Sequence, residues 1–344
     1  SSTTSFDKDL GKRNPSMTGI IRRERYFYDV GMAGITYDQP LSKNTRLNSS
    51  FGIGGYRLTE SRSIIDSSNT LYENKFQSGD YSFRANIQAN HKFDTRNYLK
   101  AGFRFSRLNF LSYQATRDTA EWERTYEANG MASYAESFAQ WKHRASERLV
   151  FTAGLHSSYF EINKQVVVEP RIAMRYKLRP DLSLRMGMGM HSMLESLLTY
   201  LGDRETSDLE RPNMDLKMAR AIHYVLGADK SLGNNWQIGI EAYYQDLYDV
   251  PIKNDSSSSW SSINKTHGKV VRDLINEGTG FNYGMELSLR KAFDRNWYMM
   301  ANASLFESKY KTLDGVLRNT IYNNNFIYNL TAGKDFKVGR KKSN

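Results

Sequence analysis

The segment Val166–Met193, VVVEPRIAMRYKLRPDLSLRMGMGMHSM, leaves few folds open. Val168, Pro170, Ile172, Met174, Tyr176 and Leu178 alternate with Glu169, Arg171, Ala173, Arg175 and Lys177. After Arg179-Pro180-Asp181 the alternation restarts. Leu182, Leu184, Met186, Met188 and Met190 share one face; Ser183, Arg185, Gly187, Gly189 and His191 share the other. Period-two alternation on both sides of a tight turn is a β-hairpin. It excludes an amphipathic helix, whose apolar positions recur every three or four residues.

The rest of the chain repeats this unit. Residues 1–25 are polar and read as an irregular loop or ragged end. Tyr26–Tyr37 is a weakly alternating strand, and Thr45–Arg57 puts Leu47, Phe51 and Ile53 on one face. Leu58–Gly79 reads as a long polar connection. Tyr81, Phe83, Ala85, Ile87 and Ala89 face one way, Asp94–Asn97 turns the chain, and Leu99, Ala101, Phe103 and Phe105 return. A second polar stretch runs to Gly130. Met131–Lys142 and Leu149–Leu155 then lead into the opening hairpin. Beyond it, Leu194–Met218 is a very long connection. Ile222, Tyr224 and Leu226 precede a Gly233-Asn234-Asn235 turn, and Trp236, Ile238, Ile240, Ala242 and Tyr244 follow it. Val250–Gly280 is the next long connection. Phe281–Leu289 and Trp297–Leu305 flank Asp294-Arg295-Asn296, and Phe326, Tyr328, Leu330 and Ala332 precede a final turn at Gly339–Asn344.

This reading gives about 13 strands, most of about 10–14 residues, with short turns at one end and long connections at the other. Ordinary globular strands are about half as long. Aromatic residues gather near strand ends: Tyr26, Tyr81, Tyr98, Trp141, Tyr176, Trp236, Phe293 and Trp297. Girdles of this kind mark the two interfaces of a bilayer. The expected fold is all-β, an antiparallel transmembrane outer-membrane β-barrel occupying residues 26–344. A soluble sandwich or propeller explains the alternation, but neither the strand length nor the asymmetry of the connections. Lipid offers no partner to an open strand edge, so a spanning sheet must close. An odd strand count then predicts an incomplete barrel, truncated at both ends.

Composition agrees. A mean hydropathy of -0.64 suits a barrel, because only alternate residues meet lipid. No apolar run is long enough for a transmembrane helix. With no cysteine, disulfides and thiolate metal sites are excluded. The net charge of +11 is spread along strands and turns, without a nucleic-acid-binding signature, so no nucleic-acid partner is expected. There is no phosphate-cradling glycine loop, no H-E-x-x-H and no serine elbow, which argues against an enzyme and against a cofactor.

The segments EPRIAMRYKLRPDLSLRMGMGMHS, ARAIHYVLGADKSLGNNWQIGIEAYYQDLYDVPI, LINEGTGFNYGMELSLRKAF and LRNTIYNNNFIYNLTAGKDFKVGRKKSN resemble the C-terminal half of the barrel of TonB-dependent outer-membrane receptors of the Bacteroidetes type. The resemblance covers Tyr26 to Asn344. It implies a larger barrel of about 22 strands with a plugged lumen, in the outer membrane of a Gram-negative bacterium. It implies energy-coupled import of an extracellular nutrient such as a siderophore, glycan or peptide. The implied partners are outer-membrane lipid, a plug domain without counterpart in this sequence, the TonB complex acting through that plug, and a surface lipoprotein. The other readings are a passive porin-like channel and a β-rich surface adhesin.

Candidate ligand contacts lie at the loop-bearing rim. His191 ends one strand and His223 begins its partner on the same polar face. They either touch a ligand or simply line the lumen, and two histidines alone do not complete a metal site. Met193, Tyr200 and Trp260 stand in or beside long connections, where binding residues concentrate. Arg84, Arg104, Arg171, Arg175, Arg185 and Arg290 share the polar face with Glu169, Glu241 and Glu286. They either draw anions into the lumen or pair with carboxylates of the wall and plug. Asp203, Glu205, Asp208 and Glu210 read as solvated loop carboxylates.

Overall fold

The computed structural model describes residues 2–9, 21–65, 71–117, 121–202, 213–233, 235–264, 271–336 and 339. Within them the chain forms one antiparallel sheet of fifteen strands. These are β1 (Ser2–Asp9), β2 (Ile21–Pro40), β3 (Thr45–Ile65), β4 (Leu71–Lys92), β5 (Asn97–Arg117), β6 (Glu123–Arg144), β7 (Leu149–Phe160), β8 (Gln165–Arg179) and β9 (Leu182–Met193), then β10 (Ala219–Gly233), β11 (Trp236–Lys253), β12 (Leu274–Asp294), β13 (Trp297–Lys311), β14 (Leu317–Asn319) and β15 (Phe326–Lys334). From β1 to β14 each strand pairs with its neighbours in sequence, and β15 pairs with β13. β14 and β15 lie along the same edge of β13, so the segments fill fourteen places. Among the described residues the pairings run from β1 to β15 without returning, and the sheet is an open wall.

The fourteen places agree with the expected count of about 13. Two sequence expectations are corrected. The first 25 residues contribute β1, paired with β2, which itself begins at Ile21. The described parts of the polar stretches after Leu58 and Phe105 are mostly strand: β3, β4, β5 and β6 continue into them and are 21 or 22 residues long. Backbone pairing needs no apolar face, so the ladder persists where side-chain alternation fades. Asp203, Glu205, Asp208, Glu210 and the Arg340–Asn344 turn lie outside the described residues.

The turns follow their sequences. Arg295 and Asn296 both have positive φ (52° and 65°) between β12 and β13, the two-residue hairpin geometry that matches strand twist. Pro180 and Asp181 join β8 to β9, and Ser231 N–H donates to Asp181 O at 2.8 Å.

The outer face carries the apolar set. Leu226 (63 % exposed), Leu305 (59 %) and Ile53 (61 %) stand open to their surroundings with Met186, Met188, Ile240 and Leu287. In water such a band would drive association; in a bilayer it meets lipid. Its turn-side edge is marked by Trp236 and Trp297, whose rings pack edge to face at 5.8 Å. Lys291 lies over Trp297 at 4.2 Å and donates to the carbonyls of Asp294 and Trp297 at 3.1 and 3.2 Å. Its charge is thereby satisfied at the interface rather than in hydrocarbon.

Candidate functional site on the inner wall

The buried core lies against the inner face, near the loop-bearing rim. The β9–β10 connection turns inward. Its short helix α1 (Leu197–Leu201) places Leu197, Tyr200 and Leu201 on Phe110 of β5, Ala128 and Ala132 of β6, Phe160 of β7 and Val167 of β8. The fit is close: a Cβ on Gly130 would come within 2.6 Å of Leu201 Cδ1. Tyr126 donates its hydroxyl to Gly202 O.

Tyr200, expected to contact ligand, is only 1 % exposed and packs on Phe160 with ring centroids 5.0 Å apart. It anchors the connection instead. Burial holds its hydroxyl above the ordinary tyrosine pKa. Trp260 packs partly buried against the same core. Met193 stands at the end of β9, 58 % exposed.

Two asparagines tie the long connections together. Asn213 is buried. It donates to Thr199 O at 3.0 Å and Val271 O at 2.7 Å, and accepts from Leu274 N–H at 3.1 Å. Asn276 donates to Lys217 O and Asp249 O and accepts from Lys217 N–H. Sequence reasoning missed both, because an asparagine in a polar loop carries no signal of what it will join. Asn213→Ala removes three hydrogen bonds to backbone groups and is expected to cost about 1–3 kcal/mol. Amide exchange should rise in both connections together; a rise in only one would show that they are not coupled through Asn213.

Below this core the inner wall is polar. Pro170 has no N–H, and the β8–β9 ladder stops at Arg171↔Gly189. Glu169 fills the gap: its carboxylate, nearly fully buried, accepts from Ser192 N–H at 2.7 Å and from Arg171 at 2.5 Å, with His156 Nδ1 at 2.9 Å. Arg185 bridges Asp229 at 3.0 Å and Glu241 at 3.2 Å, and Arg104 reaches Glu136 at 3.3 Å. Half of the expected lumen arginines therefore pair with carboxylates of the wall itself. Among the described residues no ion pair forms for Arg84, Arg175, Arg290 or Glu286, although Glu286 stands directly across from Glu241. A hollow of about 520 Å³ opens here between Arg104, Glu136, His156, Glu169 and Arg171.

The structure brings His191 and His223 together. The β9–β10 register sets His191 against Ala221 and His223 against Gly189, and the rings lie 4.4 Å apart. Among the described residues no cluster of three histidine, aspartate or glutamate side chains is placed to hold a metal ion.

An antiparallel wall with an apolar outer face, a polar inner face and connections folded inward at one rim is the architecture of a transport barrel of the outer membrane. The chain belongs to the TonB-dependent receptors: the family model described as TonB dependent receptor-like, beta-barrel matches residues 2–337. The family comprises receptors and transporters of the outer membrane of Gram-negative bacteria. No curated protein matches the chain in sequence. Among solved structures it is similar to the siderophore receptor PiuA from Acinetobacter baumannii (TM-score 0.65, 11% identity, 91% of this chain and 52% of that one). It is similar also to the ferric-catecholate import receptor Fiu from E. coli (0.65, 11%, 92% and 52%). A third likeness is to the RagAB peptide transporter (0.59, 12%, 88% and 38%). The chain thus spans about half or less of the chains it resembles.

Proposed function

We propose that this wall belongs to a receptor that binds an extracellular nutrient, a siderophore, glycan or peptide, and imports it by energy-coupled transport. The inward-folded connection supports this most directly. It builds a packed platform on the lumen side of the wall, above a polar surface, where a ligand entering from outside would be met. The likeness to siderophore receptors and a peptide transporter supports the same class. His191, His223, Met193 and Trp260 are the proposed ligand contacts. Arg84, Arg175, Arg290 and Glu286 are proposed to meet charges on a plug that fills the lumen and links it to the TonB complex. A surface lipoprotein is the proposed outer partner.

The test is uptake by cells carrying the full-length gene. Accumulation of labelled candidate nutrients should require both this receptor and an intact TonB complex. Receptor-dependent uptake that persists without TonB would instead identify a passive channel.

A further inference from the structure

We propose that the outer face of β2, β3 and β4 holds one phosphorylated glycolipid of the outer leaflet, with an acyl chain in a hollow over Gly31 and Gly55 and its phosphate on Arg57. The site lies on the lipid side of the wall and does not depend on the uptake reading above.

The hollow measures about 810 Å³ and is mostly apolar, the size of a small-molecule site. The ladder explains why it forms here. Gly31 stands opposite Gly55, and Gly55 opposite Tyr81. Two adjacent strands therefore lack a side chain at the same level. A Cβ on Gly31 would meet nothing within 4 Å, and the Tyr81 ring leans over Gly55, 2.7 Å from where a Cβ would stand. Ala33, Ile53 and Phe83 line the lower part. A flat β face touches a lipid chain from below only. A trough also gives it walls, and dispersion attraction grows with each added contact.

The polar end lies where headgroups begin. At about 3.4 Å per residue and a tilt of about 40°, an apolar band about 25 Å tall takes roughly ten residues. That is the distance along β3 from Leu47, near the turn, to Arg57. Arg57 stands toward the long connections, which mark the extracellular side of such barrels. Its Nε donates to the Tyr81 hydroxyl at 3.1 Å, and among the described residues it forms no ion pair. Its two terminal nitrogens are left for a phosphate, which a guanidinium fork matches. Arg107, on the same face, is already bound to Glu161 and Ser133, each at 2.7 Å. Asn109 and Asp29 also line this end of the hollow. An amide and a carboxylate beside a guanidinium suit a headgroup that carries a phosphate and several hydroxyls, as a phosphorylated sugar does.

The test uses the full-length receptor, stripped of lipid in detergent, offered lipid A or phosphatidylethanolamine and read by native mass spectrometry. The wild type should retain one lipid A at concentrations where phosphatidylethanolamine does not persist. Arg57→Gln should weaken lipid A binding by about tenfold or more, the loss of one charge-assisted hydrogen bond. Gly31→Leu puts a side chain into the open trough and should weaken it to a similar degree. Arg148→Gln removes the same charge at the opposite rim, between β6 and β7, and should leave binding unchanged. Heat-modifiable migration in gels verifies that each variant is folded. Equal retention of the two lipids by the wild type, or lipid A binding unchanged in either Arg57→Gln or Gly31→Leu, overturns the proposal.

Discussion

Ile240→Arg should lower the unfolding free energy of the membrane-embedded receptor by about 2–4 kcal/mol, the cost of a guanidinium at the bilayer midplane of a barrel. Ile240 is 45 % exposed on the outer face of β11. It lies midway between Trp236, at the turn-side girdle, and Tyr244, toward the opposite one. Its cross-strand neighbours are Ala228 and Leu287, so no acid stands beside it to receive the charge. The inner face gives the control. Gly187 points into open space, its nearest would-be Cβ contact being Ile172 O at 3.7 Å, and Gly187→Arg there meets water and wall carboxylates. Denaturant unfolding in lipid vesicles measures both. Equal tolerance of the two arginines would reverse the assignment of faces.

Phe160→Ala should cost about 3–5 kcal/mol, as expected when a fully buried aromatic is cut back to a methyl group. Phe160 has no exposed surface, and Tyr200, Tyr134 and the α1 leucines close around it. The loss should fall on the connection more than on the wall, because the backbone ladder of β7 does not depend on that ring. Limited proteolysis should cut the β9–β10 connection much faster in the variant, while the strands stay resistant. Unchanged cleavage would show that α1 is held by something other than this core.

The alternation of Val166–Met193 made the wall legible from sequence, because lipid on one side and polar surroundings on the other impose a period of two on the side chains. The same rule concealed the upper halves of β3 to β6. Beyond the bilayer both faces of a strand are wet, and stretches such as Thr59-Glu60-Ser61-Arg62-Ser63 read as loop although each residue is paired with β4. The neighbouring histidines followed from strand order and facing alone. Tyr200 did not: its burial depends on a connection folding back by its own packing, and Leu197-Leu198-Thr199-Tyr200-Leu201 shows an apolar cluster without showing what it will cover. Glu169 was assigned to the right face, but its role as a substitute for a missing ladder partner depends on Pro170, whose effect falls on the adjacent strand.

The unequal heights of the strands have a consequence in time. A strand of 22 residues such as β4 extends about 70 Å at roughly 3.3 Å per residue, whereas the apolar band of such barrels is about 25 Å tall. β7 and β9, at 12 residues each, rise only about 30 Å at a tilt of about 40° and end just beyond that band. The tall strands therefore pass through two solvents. Amides in their lower halves have lipid on one face, and those in their upper halves have water on both faces. Within one continuous strand, proton exchange should run from fast above the membrane to nearly frozen inside it. The point where the rate changes along β4 would locate the membrane surface on this protein.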